Sequence, residues 1–239
     1  MTPLLIQSQP KRYPSPFAFT QSPFPMEFNV PTVHELDAAS RRPTVAVDVG
    51  FGNSSTSGIV FSKAPNESPT PIDNSCTTGF GKCARAIVKF AEGESEFNLI
   101  LEAPLSGTFD GSGNPCGRLP FEKQNGATRY WYLQAGANVG LGAAFLLRNL
   151  SRRLETSTVH LFEGFVSFKS DSSEHTTDAE ALIRELGNSK NRTVADPTDW
   201  PEESEADRCT SFLDLLDLGA VGSESSCPPV IVADAQSFP

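Results

Sequence analysis

The sequence predicts an α/β fold in which a mixed β-sheet is flanked by helices, and two observations carry that prediction. Short apolar runs typical of buried strands alternate with segments of helical periodicity through the middle of the chain. The first two strands follow each other across a glycine-rich turn, which indicates an antiparallel hairpin. A hairpin followed by strand–helix units is typical of a mixed sheet.

The elements predicted in chain order are strands at 44–49 and 56–63, a helix at 83–91, a strand at 97–105, a helix at 137–154, a β-rich run at 158–168, helices at 178–186 and near 204–218, and a strand at 228–233. The polar stretch between the hairpin and the first helix has room for a further strand. Thr176 or Thr177 is the expected N-cap of the helix at 178–186.

Composition divides the chain into three parts. Residues 1–42 are rich in proline and lack periodicity, so we expect a partly disordered arm. Residues 43–218 are expected to form the α/β domain, and residues 219–239 a C-terminal extension with a short strand. Hydrophobic residues make up only 38% of the chain, and this low share fits a chain that packs in part.

Charge and cysteine usage restrict the class of protein. The net charge is −10, and the stretch from Asp171 onward holds four basic and fifteen acidic residues, which leaves no bulk basic excess of the kind typical of general nucleic-acid binders. The five cysteines form no C-x-x-C pair, which favours reduced thiols. No apolar run reaches the length of a membrane helix or follows a basic start as in a signal peptide. These features predict a soluble, cytoplasmic protein without membrane contact, of unknown oligomeric state.

Three acids lie at or near the ends of predicted strands: Asp48, Glu102 and Glu163. Ligand sites of open α/β sheets form beyond the carboxyl ends of the strands, so these carboxylates are expected to converge there. Carboxylate oxygens are hard ligands that suit Mg²⁺ or Mn²⁺. A further ligand is expected from a later helix, and either Asp178 or Asp207 can supply it.

The order of these motifs resembles the predicted ribonuclease H-like nucleases, a family whose members resemble Holliday-junction resolvases in active-site layout. The family pattern is an acid in the first strand, an acid followed by Ala-Pro-Leu, an arginine-bearing loop, a glutamate in a later strand and an aspartate on a C-terminal helix. The matching positions are Asp48, Glu102 with Ala103-Pro104-Leu105, Arg118, and Glu163 in Phe-Glu-Gly-Phe. The similarity covers about residues 44–218. The first motif departs from the pattern, because its glycines are closer to an ATPase phosphate loop.

The resemblance implies a ribonuclease H-like sheet and a metal-dependent nuclease acting on DNA or RNA. Asp48, Glu102, Glu163 and Asp178 are then the expected catalytic acids, with Asp207 as the alternative last ligand and Mg²⁺ or Mn²⁺ as the cofactor. Arg118 and Arg129 are the expected contacts to the substrate phosphate.

Two other functions stay open at this point. In an actin-like or sugar-kinase-like ATPase remnant, Asp48 and the turn from Gly50 to Ser57 would bind Mg-ATP. In a catalytically silent module, the arm and the acidic tail would bind a partner. Individual residues also have structural alternatives: Glu163 as a salt-bridge partner of Arg118 or Arg129, and His175 as a surface residue.

Overall fold

The computed structural model describes residues 28–51, 56–63, 74–110, 112–116, 118, 121–124, 127–128, 132–133, 135–154, 157–167, 174–196, 208–215, 220–221 and 227–234. The predicted arm at 1–42 falls only partly within these ranges. Two predicted site residues, Arg129 and Asp207, lie outside them.

The described strands are β1 (Phe28–Asn29), β2 (Thr44–Asp48), β3 (Thr56–Ser62), β4 (Asn74–Gly79), β5 (Glu96–Glu102), β6 (Ser106–Phe109), β7 (Pro115–Cys116), β8 (Lys123–Gln124), β9 (Ala127–Thr128), β10 (Thr158–Ser167), β11 (Val194–Ala195), β12 (Arg208–Ser211), β13 (Ala220–Val221) and β14 (Val230–Asp234). The described helices are α1 (Leu36–Ala39), α2 (Phe80–Ala91), α3 (Ala135–Ser151), α4 (His175–Gly187) and α5 (Phe212–Leu215), and a 3-10 turn at Val33–Glu35 precedes α1. None of these helices combines the length and the apolar character that crossing a membrane requires.

Nine of the described strands form one mixed sheet. Seven follow the order β11-β14-β10-β5-β2-β3-β4, while β1 pairs with β10 and β13. The central strands β2, β5, β10 and β14 are parallel, whereas β3, β4 and β11 run antiparallel to their neighbours. This confirms the predicted fold class, an α/β fold with a mixed sheet flanked by helices, consistent with the ribonuclease H-like class.

The core lies on both faces of this sheet. Side chains alternate along β2, so Val45 and Val47 pack on the face covered by α2 and α3, whereas Ala46 packs on the face covered by α1 and α4. Burial on both faces explains why the central strands are almost continuously apolar in sequence. The same alternation decides on which face a carboxylate at a strand end lies.

Most of the predicted elements are present, and the one whose boundary matters most for the candidate site is helix α4. The hairpin is confirmed as β2 and β3, and β4 is the further strand for which the sequence left room. The helix near 204–218 is wrong at 208–211, where β12 pairs with β6 and its Cys-Thr-Ser residues suit a strand. The predicted N-caps Thr176 and Thr177 are also wrong, since α4 begins at His175 with Glu174 as its N-cap.

The sheet draws strands from all three parts of the chain that composition suggests. Strand β1 belongs to the segment 1–42 and pairs with β10 in the middle of the molecule. Strand β14 belongs to the segment 219–239 and pairs with β10 over five residues. The central sheet therefore includes residues on both sides of the α/β region at 43–218.

Candidate metal centre

Three acidic side chains meet at one end of the sheet. Asp48, Glu102 and Asp178 each offer a carboxylate oxygen, and these oxygens lie within 4.8 Å of one another. The three residues are buried, with 6%, 2% and 2% of their surface exposed. Such a group can hold a metal ion.

Strand register brings the first two acids together. The parallel strands β2 and β5 pair Asp48 directly with Glu102, and adjacent strands lie about 4.8 Å apart. Asp48 follows Ala46 by two residues and Glu102 follows Ile100 by two, so both carboxylates belong to the α4 face of the sheet. The two apolar runs therefore end in a pair of acids on a common face.

Helix α4 supplies the third acid, and Gly58 permits its approach. A Cβ atom at Gly58 would lie 2.1 Å from the carbonyl carbon of His175, so only glycine lets the start of α4 rest on the hairpin. Gly58 pairs with Asp48 in the hairpin, which fixes the helix start beside the first acid. Asp178 lies in the first turn of α4, where the helix dipole favours a negative charge.

His175 is part of the same site. Its Nδ1 lies 2.6 Å from Oδ2 of Asp48, and its side chain is 43% exposed. It precedes Asp178 by three residues, so both side chains lie on one side of the helix. The sequence alone favours a surface residue over a catalytic one at this position. Its spacing from Asp178 was the signal available for finding it.

Glu163 lies on the opposite face of the sheet from the three acids. It follows Leu161 by two residues and pairs with Leu101, and both leucines belong to the core beneath α2 and α3. The Glu163 carboxylate accepts hydrogen bonds from Nη1 of Arg118 at 2.6 Å and from the Leu105 N–H at 2.8 Å. The structure therefore brings Glu163 together with Arg118, which is the ion pair that the sequence held open as the alternative.

Arg118 is fully buried within this second cluster. Its Nε and Nη2 donate to Oε1 of Glu122, its Nη1 also donates to the backbone oxygen and hydroxyl of Ser106, and the guanidinium lies over the Phe121 and Tyr132 rings. The sequence did not single out Glu122. Its spacing of four residues from Arg118 matches a local ion pair.

The Arg118 guanidinium bonds to the carboxylates of both Glu163 and Glu122, and the pKa values of Arg118 and Glu163 are shifted. Burial opposes the charge on Arg118, but Glu163 and Glu122 outweigh it and raise the Arg118 pKa. Burial also raises the pKa of Glu163, and Arg118 and the Leu105 N–H offset that effect only in part.

Gly50 and Ser57, at the two ends of the glycine-rich turn after β2, bond to each other. The Gly50 N–H donates to the Ser57 hydroxyl at 3.0 Å, and that hydroxyl donates back to the Gly50 carbonyl. A Cβ atom at Gly50 would lie 1.8 Å from the Thr56 carbonyl oxygen, so close packing of the two strands requires glycine there. The Gly50 N–H and the Ser57 hydroxyl therefore bond to each other, whereas the ATPase hypothesis requires them to bind the phosphates of ATP.

Comparison of the chain with protein-family models, with curated proteins and with solved structures found no significant match. Functional inference therefore rests on the geometry of the acidic group and on the surface around it.

Proposed function

We propose that this protein is a metal-dependent phosphodiesterase that hydrolyses nucleic acid with Mg²⁺ or Mn²⁺. The observation that carries the proposal is the buried group of Asp48, Glu102 and Asp178, whose oxygens lie within 4.8 Å of one another. The order of sequence motifs that resembles ribonuclease H-like nucleases, together with the fold class, supports the same proposal.

The donor set fits a hard divalent cation. All three ligands are carboxylates, without a cysteine, and this is the donor type that suits Mg²⁺ and Mn²⁺ rather than softer metals. Burying several negative charges side by side is costly, because each disfavours the ionised form of the others. A cation of charge two offsets that repulsion and stabilises the site.

A divalent cation bound there supplies Lewis-acid chemistry that polarises a phosphoryl oxygen and lowers the pKa of water. Asp48 and Glu102 hold it from the rigid ends of two paired strands, and Asp178 holds it from the first turn of α4. Nδ1 of His175 is hydrogen-bonded to Oδ2 of Asp48. Because its ring is partly exposed, it can pass a proton between the buried acids and the solvent.

Calorimetric titration with Mn²⁺ tests the site directly. We expect the wild type to bind Mn²⁺ and Asp48→Asn, Glu102→Gln and Asp178→Asn to lose at least ten-fold in affinity, since each removes a charged ligand (roughly this factor or more per ligand). The matched control is Glu163→Gln, which removes a buried acid from the same sheet but from the other face, and it should bind like the wild type.

Hydrolysis of branched and single-stranded substrates with Mn²⁺, compared with chelator, then tests the activity. We expect cleavage by the wild type and by Glu163→Gln, and none by Asp178→Asn. A wild type that binds no Mn²⁺ at millimolar concentration contradicts the proposal. If Glu163→Gln loses the metal as fully as Asp178→Asn does, the acids assigned to the site are wrong.

A further inference from the structure

Helices α2 and α3 differ in charge from the rest of this acidic chain. The chain has 29 acidic and 19 basic residues, yet neither 80–91 nor 135–154 contains an aspartate or glutamate. The charged residues of α2 and of α3 with the turn that ends it are Lys82, Arg85, Lys89, Arg148, Arg152 and Arg153. All six are exposed, and none forms an ion pair with another described residue.

Helical spacing arranges these cations in two neighbouring stripes. The exposed positions of α2 include Lys82, Arg85 and Lys89. Those of α3 include Leu141, Phe145 and Arg148, and the exposed Arg152 follows in the turn after α3. Steps of three and four residues place each set on one side of its helix. The two helices cover the same face of the sheet, and the rings of Phe80 and Phe145 lie 6.0 Å apart. We call this surface the α2–α3 face.

The α2–α3 face also exposes apolar side chains among its cations. Phe145 is 56% exposed and Leu141 is 61% exposed. Cations that follow a phosphate backbone, combined with an aromatic ring on which a base can stack, are the features that bind single-stranded nucleic acid.

Phe51 connects this face to the end of the sheet where the acidic group lies. It follows Asp48 by three residues, and its ring packs against Phe80 with centroids 5.1 Å apart. It also lies against Gly142 of α3, where a Cβ atom would be 2.5 Å from Cβ of Phe51. The α2–α3 face therefore reaches the end of the sheet that carries Asp48, whose carboxylate lies on the opposite, α4 face.

We propose that the α2–α3 face binds single-stranded nucleic acid and leads it to the end of the sheet at which the acidic group lies. The path toward the end of the sheet with the acidic group rests on the proposed function, whereas binding of the strand to the α2–α3 face requires no metal ion. An acidic protein is repelled by an extended anionic surface such as a membrane, whereas a flexible single strand can contact the cations of this face alone. This favours a strand over a lipid surface.

Fluorescence anisotropy with labelled oligothymidylate of about 20 nucleotides, in chelator and at about 50 mM salt, tests the proposal. We expect the full chain to bind, and Arg85→Glu with Arg148→Glu to weaken binding at least ten-fold. Loss of two phosphate contacts should also reduce the slope of log affinity against log salt by about 1.4. Phe145→Ser should weaken binding about five-fold or more through lost stacking.

The matched control carries Arg41→Glu and Lys190→Glu, two exposed cations outside α2 and α3, and it changes the net charge by the same amount. Binding within two-fold of the wild type is expected from it. The proposal fails if the wild type does not bind, if the control weakens binding as much as the test variant, or if the wild type binds phosphatidylserine vesicles and not the oligonucleotide. Because chelator is present throughout, failure here is distinct from failure of the metal titration.

Discussion

Two groups of buried acids lie in the central part of this molecule, on opposite faces of one sheet. On the α4 face, Asp48, Glu102 and Asp178 bring three carboxylates within 4.8 Å, with His175 against Asp48. On the other face, Glu163 and Glu122 share Arg118. The acids of both groups are buried, so burial alone does not distinguish a metal site from a structural ion pair.

The difference lies in where the positive charge comes from. The Arg118 group contains its own cation, because the Arg118 guanidinium donates a hydrogen bond to the Glu163 carboxylate. The group on the α4 face gathers carboxylates and a partly exposed histidine, and this composition suits an added divalent ion. Experiments that remove one charge from each group should therefore affect different properties.

The largest effect is expected from Arg118→Met. The substitution keeps most of the side-chain volume but leaves two carboxylates in a dry site without their cation, which should lower the free energy of unfolding by about 3–5 kcal/mol. Urea denaturation measures the loss. Arg148→Met is the control, because Arg148 is exposed and its replacement should change stability by about 0.5 kcal/mol or less. A loss below about 1 kcal/mol in Arg118→Met contradicts a structural role for the cluster.

The strands at the centre of this comparison could be predicted from the sequence because their pattern is local. The runs ending in Asp48 and Glu102 are apolar on both faces, and their pairing follows once both are central parallel strands. Asp178 was one of two candidates for the helical ligand, and the structure brings it to the other two acids. Asp207, the other candidate, is outside the described residues.

The face on which Glu163 lies could not be predicted. Strand β10 carries apolar side chains on both faces, so its pattern gives no signal for which alternate residues face α4. A shift of one residue in register would move a carboxylate to the other face of the sheet. The start of α4 also depended on a tertiary contact: Gly58 admits the helix three residues before its first predicted residue. The contact of His175 with Asp48 depends on this helix start, although its spacing from Asp178 is visible in the sequence.

An intermediate effect is expected from Gly58→Ala. The added methyl group would overlap the backbone of His175, so α4 must shift away from the hairpin. We expect a loss of about 1–3 kcal/mol in unfolding free energy and at least a ten-fold loss of Mn²⁺ affinity, because Asp178 moves with the helix. The control is Gly81→Ala, where a Cβ atom meets nothing within 4 Å. Unchanged Mn²⁺ binding in Gly58→Ala would show that the helix start does not set the geometry of the site.

The smallest effect concerns the pH dependence of the Arg118 group. Burial raises the pKa of Glu163 above its usual 4.5, so the native state keeps this proton to a higher pH than the unfolded chain. The stability that this proton contributes is present below pH 4.5 and is lost as the pH rises through the native pKa. We expect the free energy of unfolding of the wild type, relative to that of Glu163→Gln, to fall with rising pH. The fall should be about 1.4 kcal/mol for each pH unit by which the native pKa of Glu163 exceeds 4.5.

Urea denaturation of both proteins between about pH 4 and pH 8 measures this difference, and taking it between two proteins cancels the other titrating groups that they share. A relative stability of the wild type that instead rises with pH would mean that Arg118 holds Glu163 charged in spite of its burial. In that case the carboxylates of the Arg118 group would be ionised, and the Arg118 guanidinium would supply their counter-charge. The two groups would then differ even more in the source of their positive charge.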